Sequence, residues 1–276
     1  MSAVEHWPLF GLTVRTPRVE LRYPDDAAVA EIASRSGTDG IHDPAFMPFG
    51  FEWTDVAPTR AGCAGVDGCK AGWVVATRAG VRVVERIADV FAVGHTVVGI
   101  DMPVGLPSSE PRAADLAARR FLSPRGSTVF PTPPRVCLAA RDYGEACAMS
   151  VAATGKKLTL QTWNILAKMR EVDEAVDPGD EQRVIEVHPE CSFAVMNADQ
   201  PLPSKKSREG LGQRAALLEA EFGHLPDRLA GAGRDDILDA YAALWTAERF
   251  ARGQHREMPT GDRQRDSRGL LMRIVA

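Results

Sequence analysis

Cys63-Ala-Gly-Val-Asp-Gly-Cys-Lys-Ala-Gly-Trp-Val-Val-Ala-Thr77 contains two apolar runs separated by a few small and polar residues. Cys63 to Asp67 reads as one short strand and Gly72 to Thr77 as a second. Gly68 to Ala71 is short enough for a tight connection, so the two strands are expected to pair as an antiparallel hairpin. Working outward, Val81-Arg-Val-Val-Glu85 follows Ala79-Gly80 as a third strand. Val97-Val-Gly-Ile-Asp101 is a fourth, stopped by Pro103, and Val184-Ile-Glu-Val-His188 a fifth, stopped by Pro189. Three antiparallel strands, a crossover and two further apolar strands predict an α/β fold, with a mixed five-stranded sheet and helices on its faces.

About eighty residues separate the fourth and fifth strands and predict a helical insertion. Ala113 to Leu122 and Gln161 to Val176 carry helical patterns, and Ser123 to Pro134 is a Pro-rich loop. The clearest helix is Asp235 to Ala251, where Leu238, Tyr241, Leu244, Trp245 and Glu248 mark successive turns. Residues beyond Gly253 read as polar and loosely held until Leu270. Residues 1–60 differ in character. Leu12 to Arg22 reads as a strand broken by Pro17, Ala27 to Ser34 as a short helix capped by Asp25 and Asp26, and Gly37 to Pro58 as loop. One strand and one helix are too little to bury a core, so two pieces are expected: an appendage over 1–60 and a domain over 61–276.

Bulk composition narrows the function. The chain has 276 residues, 45% hydrophobic and 25% charged, which suits an ordinary globular core. The net charge of −4 provides no global field to attract nucleic acid. Five cysteines, an odd number with no C-x-x-C pair, fit a reducing compartment better than a disulfide framework or a structural zinc site. Met1 to Leu12 contains Glu5 and no basic residue, a poor signal peptide, and no apolar run approaches the ~18 residues of a spanning helix. The expectation is a cytoplasmic protein with no membrane partner.

The carboxylates carry the chemistry. Asp67 follows an apolar strand and precedes Gly68, which suits a hairpin turn or a metal ligand, and alone the turn is the commoner case. Asp101 repeats the arrangement at the end of the fourth strand, where α/β folds place their chemistry. Bringing both together would be costly without a cation. In the last helix Asp236 and Asp239 lie three apart on one face. Capping and the helix dipole explain Asp235 and Asp236. They explain Asp239 less well, and small residues at Ala240 and Ala243 would let this helix approach a sheet closely. Glu186 and His188 lie two apart on one strand, as a sheet-edge polar pair or as an outer-sphere or proton-transfer pair. Two basic clusters are phosphate-contact candidates or plain solvated surface. Arg119, Arg120, Arg125 and Arg135 flank the Pro-rich loop, and Lys205, Lys206, Arg208 and Arg214 follow the fifth strand. Phe130 and Trp163 are candidate base-stacking aromatics, although core packing is the commoner fate of such residues.

Several of these stretches together resemble a known family. Gly65-Val-Asp-Gly-Cys-Lys-Ala-Gly-Trp73, Gly99-Ile-Asp-Met-Pro-Val-Gly-Leu-Pro107, Glu186-Val-His-Pro-Glu190 and Asp235-Asp-Ile-Leu-Asp-Ala-Tyr-Ala-Ala-Leu-Trp245 occur in this order. So do Val129-Phe-Pro-Thr-Pro-Pro-Arg135, Gln161-Thr-Trp-Asn-Ile165 and Lys168-Met-Arg-Glu-Val-Asp173. They resemble the domain-of-unknown-function 429 family, described as predicted nucleases with an RNase H-like fold. Holliday-junction resolvases of that fold are more distantly similar. They carry an acid on the first strand, one on the fourth, usually Glu, and a D-x-x-D-A pair on the last helix. The resemblance implies that Asp67, Asp101, Asp236 and Asp239 bind metal and are catalytic, and Glu186 and His188 join them as the outer-sphere or proton-transfer candidates read from their strand. It implies Mg²⁺ or Mn²⁺ as cofactor and two-metal hydrolysis of a nucleic acid or nucleotide, with the ions about 3.5–4 Å apart. Arg135, Lys205 and Lys206 would be the phosphate contacts.

Residues 1–60 resemble the opening of GNAT-type N-acetyltransferases, on Leu12 to Arg22, Ile41-His-Asp-Pro44, Met47-Pro-Phe49 and Trp53-Thr-Asp55. The Gly-rich acetyl-CoA turn of that family has no counterpart here. Two other functions compete. An ATP-binding phosphotransferase of the actin and sugar-kinase group would also open with an Asp-Gly hairpin, and would need Gly231-Ala-Gly233 as a second phosphate loop. A non-catalytic binding module would keep the fold without the metal.

Overall fold

The computed structural model describes residues 13–15, 20–22, 62–261 and 263–276. Contacts divide the chain into two compact units, Met1–Ala57 and Pro58–Ala276. In the first, β1 (Thr13–Arg15) pairs antiparallel with β2 (Glu20–Arg22), Thr13 opposite Arg22. The stretch expected to be one broken strand thus contains two strands that pair with each other. The helix expected over Ala27 to Ser34 and the remaining acetyltransferase-like segments lie outside the described residues.

In the second unit a five-stranded mixed sheet has the order β5–β4–β3–β6–β7. Its strands are β3 (Cys63–Cys69), β4 (Gly72–Thr77), β5 (Gly80–Val84), β6 (Val97–Ile100) and β7 (Val184–Glu186). β3, β4 and β5 form an antiparallel meander, while β6 runs parallel to β3 and β7 parallel to β6. β3, β4 and β6 are buried almost throughout, which is why they read as continuous apolar runs rather than alternating ones.

Helices cover both faces. α1 (Ile87–Phe91), α3 (Tyr143–Thr154) and α4 (Leu160–Ala175) accompany the face that carries Val66, Val75, Val98 and Ile100. The other face, with Val74, Ala76 and Ile185, packs against α7 (Arg234–Ala251), together with α5 (Pro189–Met196) and α6 (Arg208–Phe222). α2 (Ala113–Phe121) belongs to a smaller cluster with Met258 and Ile274. α7 is buried on nearly all sides, as a helix held between a sheet and other helices must be. It lies unusually close to the sheet because the strands beneath it carry glycine. A Cβ on Gly65 would come within 2.0 Å of Ala240 O, and one on Gly99 within 2.5 Å of Ala243 O.

Three expectations are corrected. The hairpin connection is Lys70-Ala71 rather than Gly68 to Ala71: β3 continues to Cys69, and Asp67 pairs with Val74 inside the ladder. The C-terminal stretch is not loosely held. β8 (Glu257–Met258) pairs with β9 (Ile274–Val275), and Val275 bridges to Val187 beside the main sheet. The Asp266 carboxylate accepts from the backbone N–H of Leu106 and Leu270. Two of these contacts, Leu106 to Asp266 and Val187 to Val275, join residues far apart in sequence, so no local pattern announces them. The fifth strand also ends early: His188 caps α5 rather than extending β7.

Candidate metal centre

The site follows from strand register. Residues two apart on a strand face the same side. β3 and β6 are aligned with Gly65 opposite Gly99, so Asp67 and Asp101 each lie two residues further along, on the face that α7 covers. The backbone N–H of Asp101 donates to Val66 O at 2.8 Å, which continues the alignment past the end of β6. Asp239 precedes Ala240, the residue over Gly65, and so faces down onto both aspartates. Oxygen atoms of Asp67, Asp101 and Asp239 all lie within 4.8 Å of one another. Three carboxylates from three elements meet because two glycines let the helix in.

Their electrostatics are unfavourable for anions. Burial, and then the charges of Asp101, Asp239 and Asp236, push the Asp67 carboxyl well above the usual range. Burial and Asp239 do the same to Asp101. Burial raises Asp239 to about 6, although Lys205 pulls the other way. Lys205 Nζ donates to Asp239 Oδ2 at 2.7 Å and stands 3.9 Å from Asp235. Burial alone would lower the Lys205 pKa, but the pairing with Asp239 outweighs it and the ammonium is held charged. Asp67 accepts from the backbone N–H of Gly68 at 2.7 Å. A cluster of hard oxygen donors with one ammonium against three carboxyls has the donor chemistry for Mg²⁺ or Mn²⁺.

The trio opens into a cavity of about 760 Å³. Its other walls come from the Arg125–Thr132 segment, from Gln161, Asn164 and Lys168 of α4, and from the Ser204–Lys206 loop. The remaining candidates are placed as follows. Asp236 lines the same cavity but is not part of the trio, because its Oδ2 accepts from the backbone N–H of Gly233 and so caps α7. Glu186 lines the cavity as well, although it is in register with Ile100, on the sheet face opposite Asp101. There its carboxylate takes Arg112 through both oxygens and the N–H of Val104. Arg112, fully buried, also binds Asp115 and the carbonyls of Val104 and Gly105. Glu186 and Arg112 therefore anchor the chain after β6. His188 lines the cavity, and its Nδ1 is buried with no hydrogen-bond partner. Burial lowers its pKa, against the pull of Glu190.

The basic candidates divide sharply. Arg135 is bound to Asp173 and Asp266 and does not line the cavity. Arg119 donates to Val129 O, and Arg214 to Glu190 and two carbonyls. Lys205 belongs to the acidic cluster itself. Lys206 lines the cavity and is exposed. Sequence reasoning missed Arg112, whose acidic partners lie on α2 and across the sheet. The alternation Gly65-Val-Asp67 and Gly99-Ile-Asp101 was the available signal that both acids share a face with the helix contact.

Residues 65–264 match the family model described as "Protein of unknown function (DUF429)", and the chain belongs to that family. No solved structure matches the chain.

Proposed function

We propose that this DUF429-family chain is a divalent-metal-dependent phosphodiesterase acting on nucleic acid or nucleotides, built on an RNase H-like sheet. The observation that carries this reading is the convergence of Asp67, Asp101 and Asp239 from β3, the end of β6 and α7. The sheet order, with an antiparallel meander on one side and two parallel strands on the other, supports the fold assignment.

Asp67, Asp101 and Asp239 would hold the cations, and Asp236, on the same cavity wall, would act on them from further out. A bound Mg²⁺ or Mn²⁺ supplies Lewis acidity toward a phosphoryl oxygen and lowers the pKa of water. The protein keeps the donors close together although they repel, so the favourable partner is a multivalent cation rather than water. Lys205 neutralises part of that charge until the cation arrives. His188, which lines the cavity, would be the group that takes or gives a proton there once substrate fills it.

A phosphotransferase would need free backbone donors at Gly231-Ala-Gly233. In this chain Ala232 N donates to Leu229 O, Gly233 N donates to Asp236, and Asp235 and Asp236 make the start of α7 acidic. That position suits no phosphate.

The test is Mn²⁺-dependent cleavage of a panel of single-stranded, duplex and branched nucleic acids. Asp67→Asn and Asp101→Asn should each abolish cleavage while leaving the metal-free melting temperature unchanged or raised, because carboxylate repulsion is relieved. Asp235→Asn should cost little. A metal-insensitive protein, in both cleavage and melting, would favour a binding module instead.

A further inference from the structure

The loop after α2 contains the one arginine of the first basic cluster that faces the cavity. Arg125 lines it, and its Nε is buried without a hydrogen-bond partner. Among the described residues it has no acidic partner, whereas Arg135, Arg214 and Lys205 are each ion-paired. Lys168 is also committed, donating to Gly72 O and lying over the Trp73 ring. An unspent guanidinium beside an acidic floor needs an acceptor from outside the chain, and a phosphate presents the fork-shaped pair of oxygens that suits it.

Five residues on, Phe130 lines the same cavity with 40% of its surface exposed. The loop holds the backbone that carries both side chains in a fixed turn. Arg125 N donates to Leu122 O, Thr128 N and Oγ1 donate to Arg125 O, and Val129 N donates to Gly126 O. Val129 is buried and its carbonyl takes Arg119, while Thr132 N donates to Asp115. Gly126 is required for this turn, since a Cβ there would come within 2.4 Å of Arg119 O. An exposed ring on a pinned loop is a stacking platform, and every base has a face to stack. The cavity of about 760 Å³ has the volume of a site for a small molecule, enough for a nucleotide unit or two and not for a helix.

We infer that Arg125 and Phe130 form a substrate clamp that takes one single strand of nucleic acid, phosphate on Arg125 and the adjoining base on Phe130, and delivers the next phosphodiester to the acidic trio. The inference rests on the proposed phosphodiesterase reading for the last step only. The strand lies along the loop, the exposed Lys206 lines the same cavity, and duplex substrates enter through a frayed or unpaired end.

The experiment is fluorescence anisotropy with a labelled oligothymidylate of about ten nucleotides in Ca²⁺, across a salt series. Arg125→Ala should weaken binding about tenfold and lower the slope of log K against log salt by about 0.7, the loss of one single-strand phosphate contact. Phe130→Ala should weaken binding about tenfold with the slope unchanged, because stacking releases no counterion. Arg125→Lys and Phe130→Leu serve where an alanine variant fails to fold, and should fall between wild type and alanine. Wild-type affinity for both variants, or a wild-type protein that does not bind the oligomer, overturns the clamp. Thymidine monophosphate or a blunt duplex bound as tightly as the oligomer overturns the single strand as its occupant. Arg125- and Phe130-dependent binding without Mn²⁺-dependent cleavage would leave the clamp standing and remove the hydrolytic reading. Cleavage by clamp variants at the wild-type rate would do the reverse.

Discussion

Lys205 Nζ lies 2.7 Å from Asp239 Oδ2, so the one ammonium bonded to the acidic trio among the described residues occupies ground that a cation ligated by Asp239 would contest. The pair is not a surface ion pair of small worth. Asp239 is buried at 7% exposure, and losing its partner would leave a carboxylate facing two others.

Lys205→Met should therefore destabilise the metal-free protein, yet give a larger rise in melting temperature with Mn²⁺ than wild type does. A ligand that binds only the folded state adds about 2.7 kcal/mol at a hundredfold excess over its dissociation constant, and removing a competitor raises that excess at fixed metal. Differential scanning fluorimetry with and without Mn²⁺ reads both effects. A variant that loses the metal response would make Lys205 a support of the site rather than its counter-ion.

Stability should also depend on pH with an unusual sign. Burial raises Asp239 to about 6, so between its ordinary value near 4 and this one the folded state binds more protons than the unfolded state. Its contribution is favourable below about 4 and is lost as pH rises through about 6, because burial outweighs the Lys205 pairing; a carboxylate whose pKa its partner lowers behaves in the opposite way. The difference between wild type and Asp239→Asn isolates it. In metal-depleted protein, wild type should gain on the order of 2 kcal/mol relative to Asp239→Asn from pH 7 to pH 4. Urea titrations at each pH measure this, and a flat difference would mean that Lys205 fully neutralises Asp239.

The helix contact makes a packing prediction. Gly65→Ala must push the new methyl into the Ala240 carbonyl and the Leu244 amide, both within 2.0 Å, and backbone cannot step aside as a side chain can. Gly99→Ala meets Ala243 O at 2.5 Å. Each should cost roughly 3 kcal/mol or more and weaken metal binding, since α7 carries Asp239. Gly212→Ala, inside α6 with nothing within 4 Å, should instead stabilise by about 0.5–1 kcal/mol. Chemical denaturation of the three variants gives the comparison.

These contrasts also mark what the sequence could convey. The sheet and α7 were legible because buried strands and a long periodic helix carry their pattern in consecutive residues. Asp67 and Asp101 stood out as acids on apolar strands, but choosing between turn and ligand required the register of β3 against β6. Asp236 and Asp239 could not be separated by spacing, because both three-residue partners face one side. The cap bond to Gly233 divides them. Arg135 and the C-terminal stretch were misread for one reason: Asp173, Asp266 and β9 reach them from far along the chain.

Glu186 gives the last test, because it lines the cavity with His188 yet binds Arg112 through both carboxylate oxygens. If it anchors Arg112, Glu186→Gln leaves a fully buried guanidinium with Asp115 as its only remaining carboxylate and should cost roughly 3 kcal/mol. Cleavage per folded molecule, assayed well below the melting temperature, should stay within about threefold of wild type, and its pH profile should not move. A group that transfers the proton would show the opposite, a loss on the order of a hundredfold or more with stability nearly intact. Arg112→Met separates the two cases independently. It removes the charge that Glu186 balances without touching the cavity, so an anchor role predicts a similar fall in stability and again little loss of activity. Should Glu186→Gln fold normally and fail to cleave, Glu186 acts in the chemistry and its bond to Arg112 only positions it.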